Sequence, residues 1–357
     1  MGAVTKVLRS GWLTGGAEVQ AFEKALSLYC SGRTVRTMAS ATAALEIALR
    51  LAGIGPGDAV LTTPLTWVAT ANVILAVGAR PVFVDVCRST RLIDVNAAAK
   101  CQDAAVRAII PVDLAGLPVN RATLYTLAAA RGWRVVEDAA QSLGASWDSI
   151  PVGSVGDFVA FSFQATKNVT AGEGGALVLP EDIDPGLCER WRLQGVVRDS
   201  DGGYDADVPG LKANLGDIAA AIGRIQLGKL EQITQHRKKL ARIYFEYLPS
   251  NFGLELPVMD FQNANWHLFQ VLLPPELDRG WFIRAMRDIG VGIGVHYPAV
   301  HLTTLYRRLG YAPGDFPIAE MIGRQTVSLP MFNAITEGDI LHVCDAIKKV
   351  LSQRKFL

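Results

Sequence analysis

Over the first two thirds of the chain, short apolar runs alternate with stretches of helical spacing, and this alternation restricts the fold more than any other feature. Ala41–Leu51 carries apolar residues at helical intervals and ends near Gly53, where Gly55-Pro56-Gly57-Asp58 turns the chain into the apolar run Ala59–Thr62. A helix is expected over about 68–77 and a strand over 81–85, followed by strands at 108–112, 133–137, 158–163 and 175–179 and a helix around 122–130. Strands separated by helices read as a mainly parallel sheet with helices on both faces, an α/β fold. The remainder reads differently. One long helix over 215–242 leads to a strand at 266–273, a helix at 282–289, a strand near 292–295 and a terminal helix at 337–352, a smaller α+β unit. The expected division is 1–235 and 236–357. The Asp- and Gly-rich stretch 198–209 reads as a loop that can move.

With 357 residues, two packed units are the natural prior, and a 50% hydrophobic composition suits a large buried core. A formal net charge of +1 offers no electrostatic case for nucleic acid or an anionic membrane surface. The most apolar stretch, 68–84, is interrupted by Thr70, Asn72, Gly78, Arg80 and Pro81, so no membrane span is expected. The N-terminus shows no signal-peptide pattern. Cys30, Cys87, Cys101, Cys188 and Cys344 are scattered and odd in number, which fits no metal spacing or disulfide framework and points to a reducing cytoplasm. His296 and His301 flank Tyr297-Pro298 without a third clustered ligand, so no metal site is expected.

In parallel sheets, ligands collect beyond the carboxyl ends of the strands. Glu137-Asp138-Ala139-Ala140-Gln141 follows one strand, and Ser162-Phe163-Gln164-Ala165-Thr166-Lys167-Asn168 follows another, leading into Gly172-Glu173-Gly174-Gly175. A lysine able to form an imine, a carboxylate for a pyridine nitrogen and donors for a phosphate are what pyridoxal 5'-phosphate requires. Lys167 is the candidate for the first role. Taken alone it would be a surface lysine, but its apolar, hydroxyl and glycine-rich neighbours argue otherwise. Asp138 is the candidate for the second, against a helix N-cap. Gln141 is in reach of the ring's 3-oxygen or is a solvated first-turn residue. Ser40-Ala41-Thr42 opens a helix whose exposed N–H groups attract an anion, with Ser162 as a further hydroxyl. For Trp67 the choice is between stacking on the pyridine ring and ordinary core packing.

These segments resemble the StrS/DegT-type sugar aminotransferases of fold-type I, in order and over nearly the whole chain. Gly11-Trp12-Leu13-Thr14-Gly15 looks like the family's N-terminal signature, Ser40 to Leu45 like its phosphate helix, and Thr66 to Asn72 like its ring-stacking segment. His296-Tyr297-Pro298 and Ser328-Leu329-Pro330 fit its C-terminal pattern. The Ser-Ala-Thr, Thr-Trp-Val and Trp266-His267-Leu268-Phe269 pieces look most like members making UDP-4-amino-4-deoxy-L-arabinose. Gln164 and Asp113 stand where histidines are common, positions expected to surround the substrate. The resemblance implies a large domain with a seven-stranded-type sheet. It implies Lys167 and Asp138 as catalytic residues, with pyridoxamine phosphate formed in turnover. Substrate contacts are implied for Thr14, His296, Tyr297 and His301. Asn214 is implied to reach the phosphate in a neighbouring subunit's site, in a homodimer with shared sites. The implied substrates are an amino donor, L-glutamate, and a ketosugar linked to a nucleotide, with a ketocyclitol or other free ketone as the alternative. A related dehydratase would carry histidine at Lys167, and a binding protein without chemistry would not need Lys167, Asp138 and Ser162 together.

Overall fold

The computed structural model describes residues 1–248 and 252–353. Residues 249–251 and 354–357, within the span expected for the C-terminal unit, lie outside the described residues. The central sheet has seven strands: β1 (Val35–Met38), β2 (Ala59–Thr62), β3 (Arg80–Phe83), β4 (Val106–Ile110), β5 (Arg134–Asp138), β6 (Phe158–Ser162) and β7 (Gly175–Val178). Across the sheet their order is β1-β7-β6-β5-β4-β2-β3. Only β7 runs antiparallel to its neighbours, so the sheet is mainly parallel, as expected.

Covered on both faces, the central strands are mostly apolar, with Arg107 of β4 and Arg134, Glu137 and Asp138 of β5 as exceptions, and successive side chains of β6 divide between two cores. Phe158 and Ala160 of β6 pack with Ala44, Ile47 and Ala48 of the helix Ala41–Leu51. Val159 and Phe161 face the other way, onto Phe22 and Leu26 of the helix Ala17–Tyr29. Phe161 is fully buried, and truncating such a residue to alanine costs about 3–5 kcal/mol.

The helix expected over 215–242 is two helices, Asp217–Leu227 and Leu230–Tyr247, parted at Gly228 and Lys229. Leu230 packs under the central sheet, whereas Leu240, Ala241 and Tyr244 pack in a second core with Phe269, Phe282, Ile340 and Ile347. The second helix therefore ties the two cores together, and residue 235 falls inside it. In the C-terminal part, Phe269–Leu272 pairs antiparallel with Thr326–Leu329, flanked by the helices Arg279–Asp288 and Glu337–Ser352. The strand expected near 292–295 is reduced to a single bridge between Gly294 and Ser328. The stretch expected as a loop holds a short hairpin, Val196–Arg198 with Tyr204–Ala206, closed by Asp199 accepting from the Gly203 N–H at 2.6 Å.

Candidate active site

Asp138 is the last residue of β5, Ser162 the last of β6, and a cavity of about 500 Å³ opens beyond this carboxyl edge. It is lined by Ser40, Ala41, Thr42, Trp67, Asp138, Gln141, Ser162, Lys167, His296 and Tyr297, residues brought together from both parts of the chain. Register explains the convergence. Asp138 pairs with Ala160, two residues before Ser162, so the segments leaving the adjacent parallel strands β5 and β6 start within two residues of each other at the same edge.

Asp138 is buried. Its Oδ2 accepts from the Thr70 hydroxyl at 2.7 Å and its Oδ1 from the Ala140 N–H at 3.2 Å. Burial raises its carboxyl above the ordinary range, while Thr70, Ala140 and the charge of Lys167 favour ionisation. Lys167 is half-buried across the cavity. Burial lowers its ammonium below the ordinary lysine value, and Asp138 opposes that shift. A lysine so placed is more readily uncharged, as a nucleophile or a proton carrier must be.

Gln141 is buried rather than solvated. Its Oε1 accepts from the Ala115 N–H at 2.7 Å, which orients its Nε2 to donate to the Tyr297 hydroxyl at 3.1 Å. Tyr297 is pushed up to about 12, by burial first and by Asp138 second, so it keeps its proton. Trp67 is 60% exposed and lines the cavity with its ring centroid 5.8 Å from that of Tyr297, which rules out core packing. Burial, and then the nearby Lys167, depress the proton affinity of His296, whose Nδ1 lies 2.8 Å from the Ser328 Oγ.

The helix Ala41–Leu51 begins at the cavity wall. Ser40 caps it by accepting from the Ala43 N–H at 3.1 Å, leaving the N–H groups of Ala41 and Thr42 without intrahelical partners. Gly175 lies against this turn so closely that a Cβ would stand 2.4 Å from the Ala41 nitrogen. With the Ser40, Thr42 and Ser162 hydroxyls, this cradle has the donors a phosphate dianion requires. A carboxylate has about four acceptor positions, so Asp138 has capacity beyond Thr70 and Ala140. The residues present therefore fit a phosphorylated pyridine aldehyde.

Three expected residues lie elsewhere. Thr14 and Asn214 line a larger cavity of about 910 Å³ with Trp12 and Arg36, and Lys212 donates to the Asn214 Oδ1. Asp217 fixes that region by accepting from the N–H groups of Gly16 at 2.7 Å and Val19 at 3.0 Å. That cavity is larger, but its walls hold no counterpart of the Lys167–Asp138 pair. His301 does not face the site and corrects the expectation. It is fully buried against Phe316 with Nε2 3.1 Å from the Glu320 Oε1. Asp113 also differs. It lies behind the cavity in an ion cluster, with Arg121 donating to its two oxygens at 2.8 and 2.7 Å and also to Glu137. Thr70 and Asn168 are not among the expected site residues, and His267 is expected only as one of several histidines open to a substrate-facing role. The spacing of Thr66 and Thr70, four apart at a helix start, is the one local signal that would have marked Thr70; their hydroxyls meet at 2.8 Å.

Comparison with known proteins places the chain in a family. The chain matches the DegT/DnrJ/EryC1/StrS aminotransferase family over residues 1–348. The spore coat polysaccharide biosynthesis protein SpsC of Bacillus subtilis is 34% identical, over 98% of this chain and 93% of its own. Spr1654 of Streptococcus pneumoniae, described as a sugar aminotransferase and solved in its PMP (pyridoxamine phosphate) form, superposes with a TM-score of 0.93 at 28% identity, covering 98% of this chain and 96% of that one. DesV of S. venezuelae superposes with a TM-score of 0.92 at 33% identity, covering 99% and 94%. The fold is that of the fold-type I enzymes and the cofactor is pyridoxal phosphate. The chain belongs to the DegT/DnrJ/EryC1/StrS family and is a pyridoxal-phosphate-dependent aminotransferase.

Proposed function

We propose that this enzyme transfers an amino group from L-glutamate to the keto group of a nucleotide-linked deoxysugar. The observation that carries this reading is the shared cavity of Lys167 and Asp138, walled by hydroxyls and amides of Ser40, Thr42, Gln141, Ser162 and Tyr297. Such a lining suits a polyhydroxylated substrate better than an apolar one. The sugar-related descriptions of SpsC and Spr1654 support the same class.

The cofactor, when bound, supplies an aldehyde for amine exchange and a ring that accepts electron density. Lys167 would hold the cofactor at its aldehyde carbon and, with its amine free, is the residue placed to take up and return the proton at the donor's Cα. Asp138, raised by burial but with its ionised form favoured by Thr70 and Ala140, would pair with the ring nitrogen and keep it protonated. The N–H groups of Ala41 and Thr42, with Ser40 and Ser162, hold the phosphate. Gln141 orients the ring oxygen, and Trp67 covers the ring face and limits water. His296 and Tyr297 contact the substrate. Thr14 and Asn214, which line a different cavity of their own chain, act across a homodimer interface, with Asn214 reaching the neighbouring phosphate. Cytoplasmic residence is supported by five free thiols. No helix among the described residues is long and apolar enough to cross a membrane.

The test is to incubate the enzyme with pyridoxal phosphate, L-glutamate and a panel of nucleotide-linked ketosugars and ketocyclitols, following 2-oxoglutarate and aminated product by mass spectrometry. A nucleotide-linked amino sugar is expected, with turnover abolished in Lys167→Ala. Amination of cyclitols alone would replace the substrate class, and full activity of Lys167→Ala would remove the mechanism.

A further inference from the structure

Asp138 ends β5 and Lys167 lies in the loop after β6, and one stretch of the C-terminal part is bonded to the segments beside both. Asn265 is fully buried and donates from Nδ2 to the carbonyls of Gln141 and Leu143, both at 2.9 Å, in the turn after Asp138. Its Oδ1 accepts from the His267 N–H at 2.9 Å. His267 is buried too, and its Nδ1 lies 3.1 Å from the Oδ1 of Asn168, the residue after Lys167.

We propose that the loop 265–267 is a clamp that sets Lys167 against Asp138, with His267, acting through Asn168, as the positioning residue on the lysine side and Asn265 on the aspartate side. The inference rests on the roles given above to Lys167 and Asp138.

Three further features mark this loop as built for placement. Trp266, between the two clamp residues, is held at φ 56°, left-handed backbone that a bulky side chain rarely adopts and that gathers where function requires it. Arg237 is buried behind the loop and forms no ion pair among the described residues. Its Nη1 donates to the carbonyls of Trp266, His267 and Met331 at 3.3, 3.0 and 3.1 Å, and its Nε to the Asn333 Oδ1 at 3.2 Å. A cation buried among carbonyls is a poor way to stabilise a core, and its effect here is to fix where His267 stands. His267 itself is neutral, because burial, and secondarily Lys167 and Arg237, push its proton affinity well below the ordinary histidine value. A neutral ring has one donor nitrogen, and the Asn168 Oδ1 acceptor assigns that proton to Nδ1. The contact therefore persists through the pH range in which Lys167 must gain and lose its proton.

The test uses the full chain freed of cofactor, with competitive acetylation by acetic anhydride between pH 6 and 10. The Lys167 rate is read against the other lysines by peptide mass spectrometry. His267→Phe fills the same space without a donor, and Lys167 labelling is expected to rise about fivefold or more, the order set by losing one ordinary hydrogen bond. His267→Gln keeps a donor and is expected to restore most of the wild-type protection. In the holoenzyme, kcat is expected to fall in His267→Phe with KM for the amino donor little changed, and to recover in His267→Gln. If His267→Phe does not fold, Asn168→Ala removes the same contact from the other side and carries the same expectation. Unchanged Lys167 labelling in the folded variants would overturn the clamp while leaving the lysine's role intact. Equal effects of Phe and Gln would reduce His267 to packing and overturn it too. Failure of the lysine's role would appear separately, as activity retained in Lys167→Ala.

Discussion

Replacing Gly175 by alanine tests whether the start of helix Ala41–Leu51 is a fixed cradle. The added methyl group would stand 2.4 Å from the Ala41 nitrogen, 2.4 Å from the Ser40 carbonyl carbon and 2.6 Å from the Ser40 oxygen. Non-bonded atoms of these kinds settle near 3.5 Å, so strand and helix must part by about 1 Å. Neither side yields easily. Gly175 pairs with Met38 on one flank and Ser162 on the other, and Ala44, Ile47 and Ala48 of the helix are fully buried. Overpacking of this kind costs about 1–3 kcal/mol. For a domain of this size that lowers the melting temperature by about 2–6 °C. The larger effect falls on the cofactor, because the backbone that moves belongs to Ser40 and Ala41. Losing one charge-assisted hydrogen bond to a phosphate is worth about 1.5–3 kcal/mol, or about 10–100-fold in Kd. The assay is absorbance titration of cofactor-free Gly175→Ala with pyridoxal phosphate, run beside thermal unfolding. Wild-type affinity with an unchanged melting temperature would refute the reasoning. Wild-type affinity with a lowered melting temperature would refute the phosphate assignment alone.

Two further outcomes concern Asp138. Thr70→Val deletes the hydroxyl at 2.7 Å that favours the carboxylate, so Asp138 titrates higher and the acid limb of the kcat profile moves to higher pH; an unmoved limb would count against the pairing. Asp138→Asn should abolish turnover yet stabilise the cofactor-free protein at pH 8. Burial raises the folded-state carboxyl above its unfolded value, so ionisation costs stability as pH rises through that interval. The gain should vanish below about pH 4, where the carboxyl is protonated in both states, and chemical denaturation at pH 8 and pH 4 measures both ends.

Much of this was legible in the sequence because the chemistry sits where local patterns are strongest. The helix Ala41–Leu51 and the terminal helix Glu337–Ser352 have the expected bounds, being amphipathic and capped by Ser40 and Thr336. The strands β4 and β5 differ from expectation by one or two residues, and the Lys167 and Asp138 segments converge as parallel topology requires. What was missed depends on contacts distant in sequence. The strand β1 exists because Val35 to Met38 pairs with β7, and nothing in its four residues announces that. The helix Ala17–Tyr29, absent from the expectations above, does carry a local signal in Val19, Phe22 and Leu26 at helical spacing. His301 looked available beside a turn, yet Glu320 arrives from another helix to satisfy it in the core. Thr70 gains its role only when β5 brings Asp138 within reach. Asn265 and His267 gain theirs because the C-terminal part folds back over both catalytic loops.

The most direct measurement traps the covalent link itself. The protein is incubated with pyridoxal phosphate, reduced with borohydride, digested and mapped by mass spectrometry. A phosphopyridoxyl adduct confined to the peptide containing Lys167, and lost when L-glutamate is added before reduction, is the predicted result. An adduct on another lysine, or none at saturating cofactor, would contradict the account.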